Sequence, residues 1–100
     1  GRVPELRLNA NLKRLYLDDN ELEGPIPELT CCSALEVLSL KDNNLTGPIP
    51  DLSDSSKLVR FNIARNQCTG HIPDLSSCTQ LKYFFVQNVF VFVGKGKSTY

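Results

Sequence analysis

The sequence has no excess charge of either sign: eleven Lys and Arg balance eleven Asp and Glu over 100 residues. Without a net field, nothing in the composition steers the chain toward nucleic acid or an anionic membrane surface, so no nucleic-acid partner is expected. No run reaches the roughly 18 apolar residues of a membrane-spanning helix. The densest apolar stretch, 83–93, is broken by Gln87 and Asn88, so a membrane is expected only through segments outside this sequence. There is no Cys-x-x-Cys pair and one histidine, His71, which removes the usual zinc frameworks. The segment Gly94-Lys95-Gly96-Lys97-Ser98-Thr99 has Val91 where a phosphate-binding loop requires glycine. Asp18, Asp19, Glu21 and Glu23 fail as a calcium loop, because Leu22 interrupts the ligand spacing and no later Glu completes it. No nucleophile or carboxylate recurs around His71. The expectation is therefore a chain with no metal, no cofactor and no catalysis of its own. Gly1 is not an initiator and no signal peptide precedes it, which leaves the compartment open. With 41% hydrophobic and 22% charged residues, the composition suits one globular domain.

What is present is a period. Leu12, Leu35, Leu58 and Leu81 fall 23 residues apart, heading the blocks LKRLYLDDNELEGPIPELTCCSA, LEVLSLKDNNLTGPIPDLSDSSK and LVRFNIARNQCTGHIPDLSSCTQ. A fixed period of this size is the mark of a solenoid. Alternation through Leu15/Leu17, Leu38/Leu40, Phe61/Ile63 and Phe84/Val86 predicts one short strand per block. Strands entered the same way each time stack as a parallel sheet, apolar columns inward and intervening residues on the concave face. Asn20, Asn43 and Asn66 follow each strand. A side-chain amide both donates and accepts, so these three are expected to be structural, satisfying buried turn backbone. Gly24-Pro25-Ile26-Pro27, Gly47-Pro48-Ile49-Pro50 and Gly70-His71-Ile72-Pro73 then bend the chain away from the main ladder. Ser-, Thr- and Asp-rich segments after Leu29, Leu52 and Leu75 are expected to form short 3₁₀ turns on the convex side.

The frame L-x-x-L-x-L-x-x-N-x-L resembles the leucine-rich repeat family, and the following G-x-I-P resembles its plant-type subclass. These blocks hold 23 residues where the plant-type repeat usually has 24, with P-x-L in place of P-x-x-L. The resemblance implies an α/β-class solenoid: a horseshoe or superhelix with a concave parallel sheet and 3₁₀ or irregular convex segments. It also implies a protein or peptide ligand taken on the concave face, as in a receptor-like ectodomain, with an extracellular or membrane-anchored setting favoured over a cytoplasmic one. Two alternatives stay open, the recognition arm of a larger enzyme such as a receptor-like kinase and a secreted hydrolase inhibitor.

The register divides the chain into a partial repeat 1–11, full repeats 12–34, 35–57 and 58–80, a partial repeat 81–88 and a divergent tail 89–100. Gly1, Val3, Pro4, Glu5 and Leu6 align with Gly24, Ile26, Pro27, Glu28 and Leu29, so the sequence reads as a piece of a longer array. The alternating apolar tail 89–93 has two readings, a capping strand or translated intron. The second is favoured, because a native cap presents a polar outer face. Cys32 and Cys78 share one column two repeats apart, about 10 Å and too far for a disulfide. Cys31 and Cys32 are neighbours, and Cys68 replaces a core leucine, so buried thiols are expected. Asn44-Leu45-Thr46 is a glycosylation sequon at Asn44. The concave positions that do not repeat are the expected partner-binding residues: Arg14, Tyr16, Asp18, Asp19, Ser39, Lys41, Asp42, Arg60, Asn62, Arg65, Tyr83 and Phe85, with Val37, Ala64 and Gln87 in the same rows.

Overall fold

Each block opens with apolar residues alternating at period two, and such a run places one side chain in a core and the next on a surface. A computed structural model describes residues 1–7, 9–69, 71–87, 89–94 and 97–99, with side chains through Val86. Strands β1 (Arg14–Tyr16), β3 (Val37–Ser39), β5 (Arg60–Ala64) and β7 (Tyr83–Gln87) form a parallel ladder. Between β1 and β3, β2 covers Glu23–Pro25; β4 (Asn44–Pro48) and β6 (Gln67–Thr69) follow the next two ladder strands. Leu15 lies beside Leu38, Leu38 beside Phe61 and Phe61 beside Phe84, each 23 residues further along. The solenoid read from the period is thus the fold.

The leucine columns form one core. Leu35 and Leu58, and Leu38, Phe61 and Phe84, are fully buried, and each such side chain stabilises the fold by about 1.5–3 kcal/mol through area removed from water. The Phe61 and Phe84 rings stack with centroids 5.2 Å apart. Toward the first repeat the same columns are only partly covered, at Leu12, Leu15, Leu17 and Leu22.

Strands β2, β4 and β6 build a second parallel sheet, which the repeat alone did not suggest. Its register differs: Gly24 pairs with Leu45 and Gly47 with Cys68, an offset of 21 rather than 23. Partners therefore come from unlike places in the repeat, and no residue column marks the sheet. Gly24 and Gly47 each take φ 83°, a left-handed bend open to glycine. Pro25 and Pro48 end β2 and β4, since proline has no N–H to extend a ladder. The equivalent bend at Gly70 lies outside the described residues.

On the convex side the segments after Leu29, Leu52 and Leu75 each close with two i to i+3 hydrogen bonds end to end. Cys32 N–H donates to the Leu29 carbonyl and Leu35 N–H to the Cys32 carbonyl; Ser55 and Cys78 hinge the next two pairs alike. These are successive tight turns rather than a continuous 3₁₀ helix, and no helix of any kind occurs among the described residues. None of the four cysteines is in a disulfide. Cys32, Cys68 and Cys78 are buried, and burial pushes each thiol pKa up, toward the inert protonated form. Cys31 corrects the expectation of burial: it is exposed. It occupies the third position of its turn with φ 73°, where the side chain projects outward.

The tail continues the ladder in the opposite sense. β8 (Val89–Gly94) pairs antiparallel with β7, Phe85 beside Phe90, and β9 (Lys97–Thr99) pairs antiparallel with β8.

The hinge column contains one unsatisfied atom. The Cys32 thiol reaches the Leu6 carbonyl at 3.5 Å and the Cys78 thiol the Leu52 carbonyl at 3.4 Å, each in the preceding repeat. Ser55 stands between them, fully buried, and its shorter Cβ–Oγ bond leaves the hydroxyl without a partner. Ser55→Ala is expected to raise unfolding stability by about 1 kcal/mol, and Ser55→Cys by at least as much. Chemical denaturation measures both; midpoints that fall for both variants would show that the hydroxyl is satisfied.

Candidate binding face

The outward residues of β1, β3, β5 and β7 make the concave surface, and the strand register sets its rows. Arg14, Val37, Arg60 and Tyr83 lie side by side in one row, and Tyr16, Ser39, Asn62 and Phe85 in the next. At about 4.8 Å between strands, the face spans about 14 Å from Tyr16 to Phe85. Aromatic side chains mark both ends, and small or polar ones lie between them. Among the residues whose side chains are described, Tyr16 is the most open large apolar group, 59% exposed. Tyr83 and Phe85 are half-buried, with parallel rings whose centroids are 6.4 Å apart.

One expected binding residue is not available. Ser39 is 4% exposed, because Asp18 from the preceding repeat closes over it. The Ser39 hydroxyl donates to Asp18 Oδ1 at 2.7 Å, and the Lys41 backbone N–H donates to the same oxygen at 3.1 Å. Asp18 is thereby committed to a bridge between repeats. Asn62 is likewise engaged, its Oδ1 accepting from the Ala64 N–H at 3.0 Å. Lys41 and Asp42 are half-buried, and Asp19 is exposed.

Beyond the strands, Asp19, Asp42 and Arg65 take φ 57°, 60° and 58°. This left-handed turn carries the ladder past the strand ends, with Asp19 N–H donating to the Lys41 carbonyl and Asp42 N–H to the Ala64 carbonyl. Arg65 Nη1 sits 3.4 Å from Asp42 Oδ1. At the opposite edge Arg14 Nη2 is 3.2 Å from Glu36 Oε1. Arg60 sits over Tyr83, its guanidinium carbon 4.9 Å from the ring centroid. The Gln87 side chain lies outside the described residues.

Under the face, the asparagines tie repeat to repeat. Asn43 Nδ2 donates to the carbonyls of Leu40 and Lys41 in its own turn and of Leu17 in the preceding one, while Oδ1 accepts from Leu22 N–H. Asn66 does the same to Ile63, Ala64, Leu40 and Leu45. Asn20 donates within its own turn, to Leu17 and Asp18. Asn44 is exposed at the head of β4 with Thr46 exposed two residues on, in the second sheet and away from the concave rows. His71 is exposed, and no cluster of metal-binding side chains occurs among the described residues. Of the Gly94–Thr99 segment, Lys95 and Gly96 lie outside the described residues. No helix of the described residues is long and apolar enough to cross a membrane.

A parallel ladder at a 23-residue register, with an asparagine column beneath it, defines a solenoid of the leucine-rich repeat type. The Leucine Rich Repeat family model matches residues 11–32 and 34–55. Residues 11–55 therefore carry two leucine-rich repeats, and the ladder continues in the same 23-residue register through β7. Among solved structures it is similar to a plant peptide hormone receptor, RGFR1 in complex with RGF2, with a TM-score of 0.56 and 22% sequence identity. The alignment covers 79% of this chain and 16% of the receptor chain, so the likeness is one of fold over a small part of that receptor. No curated protein matches.

The Asp18 bridge generates a stability prediction. Asp18→Ala strips the buried Ser39 hydroxyl and the Lys41 N–H of their acceptor and is expected to cost about 2 kcal/mol. Adding Ser39→Ala should recover part of that loss. A strictly additive double mutant in denaturant unfolding would mean that the two side chains act independently.

Proposed function

We propose that this chain is a non-catalytic recognition module that binds a protein or peptide through its concave face, in the manner of a receptor ectodomain. The observation that supports it is a division of labour among the polar groups. Asn43, Asn66, Asp18 and Ser39 spend their hydrogen bonds inside the solenoid. Arg14, Tyr16 and Arg60, by contrast, stand exposed in adjoining rows, and Tyr83 is half-open. Arginine and tyrosine are among the residues that most often carry binding energy in interfaces, and these side chains lie outside the buried core. One structural neighbour is a receptor with a peptide hormone bound, which favours this reading over a hydrolase inhibitor. Because this chain covers a small share of that receptor, the activity of any larger protein that includes it, a kinase arm among the options, belongs to the same proposal.

Two further points accompany this reading. The ectodomain setting implies an extracellular or membrane-anchored location, where Asn44 becomes a glycosylation site whose glycan leaves the concave rows open. The repeat frame extends over residues 1–88, and β8 pairs antiparallel along the edge of β7 that another parallel repeat would use.

Changing Arg14, Tyr16, Arg60 and Tyr83 together to alanine is the direct test. Affinity for a protein or peptide partner captured from extracellular fluid should fall by at least about a hundredfold, the loss of two or more strong anchors. Circular dichroism should show an unchanged fold. Retained affinity in the folded variant would overturn the concave-face reading.

A further inference from the structure

The arginines of the concave face are not equivalent. Arg14 is neutralised by Glu36 and Arg65 by Asp42, each within ion-pair distance. Arg60 has no carboxylate partner among the described residues. Its side chain is nevertheless held, because the guanidinium lies over the Tyr83 ring at 4.9 Å. A guanidinium carries five N–H donors in a planar fork, more than one ring contact takes up, so a side chain restrained in this way still has donors to offer a ligand. A planar fork of donors fixed in place matches a carboxylate, which it binds through two parallel hydrogen bonds. Since Tyr83 already restrains the side chain, less rotamer freedom remains to be lost when that bond forms.

The surroundings narrow the ligand. Asp18, Asp19 and Asp42 line the far edge of the same sheet, beyond the strand ends. A polyanion laid over the face would meet them, so nucleic acid and polyphosphate are disfavoured by like-charge repulsion. An isolated carboxylate reaching the Arg60 edge meets no such penalty. Tyr83 and Phe85, ring against ring beside it, offer an apolar shelf for the rest of the residue or its neighbour.

We infer that Arg60, held over Tyr83, is the anchor for an acidic side chain of the bound peptide, Asp or Glu, with Phe85 supporting an adjacent apolar residue. This inference rests on the concave-face reading above and assigns the ligand's chemistry at one point of it.

The test uses isotope-labelled protein observed by nuclear magnetic resonance, including the arginine Nε–H signals. Two capped peptides serve as probes, acetyl-Gly-Asp-Phe-Glu-Gly-amide and its Asn/Gln counterpart, at constant ionic strength. The acidic peptide should move the Arg60 Nε–H and the amides of β5 and β7, and should bind about tenfold more tightly than the amide peptide. Arg60→Gln should abolish that preference, Arg60→Lys should weaken it, and Lys57→Gln, outside the concave rows, should leave it within about twofold. Equal binding of both peptides on β5 and β7, or a preference that survives Arg60→Gln, would overturn the carboxylate anchor while leaving the concave-face reading intact. Shifts confined to the β2–β4–β6 side would overturn both. No movement at Arg60 at millimolar acidic peptide would overturn the anchor alone.

Discussion

Stacking repeats creates one recurring problem: every strand must end in a turn whose backbone is sealed against the next repeat, away from water. The asparagine amide resolves it. At Asn43, 6% exposed, the amide nitrogen serves carbonyls of its own turn and of the repeat before it, and the oxygen takes the Leu22 N–H. A buried backbone group left unpaired costs about 1–3 kcal/mol, and Asn43 and Asn66 each cover several. The leucine columns supply the larger share of the energy, but apolar burial is non-directional. The amide bridge is what sets the distance and phase at which one repeat settles on another.

Register then determines the candidate binding face. Because consecutive ladder strands pair at a constant 23-residue offset, residues that are far apart in sequence become neighbours in rows, and Arg60 meets Tyr83. Within those rows the side chains divide. Some turn inward to link repeats, as Asp18 does with Ser39; others project from a scaffold already satisfied without them. Recognition can therefore vary along the face without disturbing the turns beneath it.

Much of this was legible from the sequence, and the reasons differ by element. Leu15, Leu38, Phe61 and Phe84 announce the ladder because strand alternation and the repeat agree on the same positions. Gly24 and Gly47 announce a bend because their left-handed φ suits few other residues. The second sheet was hidden: its 21-residue offset pairs Glu23 with Asn44, residues from different columns. Ser39 looked open because alternation gives the direction of a side chain and not what leans over it, and Asp18 reaches across from 21 residues earlier. Cys31 looked buried beside Cys32, yet its positive φ turns it out. The pairing of Arg60 with Tyr83 was implicit in the rows, but that it has no carboxylate partner among the described residues emerged only from the engagement of Glu36 and Asp42 elsewhere.

The central claim is that the amide bridges between repeats, rather than asparagine at the turn as such, hold the stack in register. Asn43 and Asn20 occupy the same place in the repeat, but Asn43 spans two repeats while Asn20 donates within its own turn and is exposed. Comparing Asn43→Ala with Asn20→Ala by equilibrium denaturation separates the two ideas. The account predicts a loss of about 3 kcal/mol for Asn43→Ala, from several buried backbone groups left unpaired, and about 0.5 kcal/mol for Asn20→Ala. Equal losses at the two positions would contradict it.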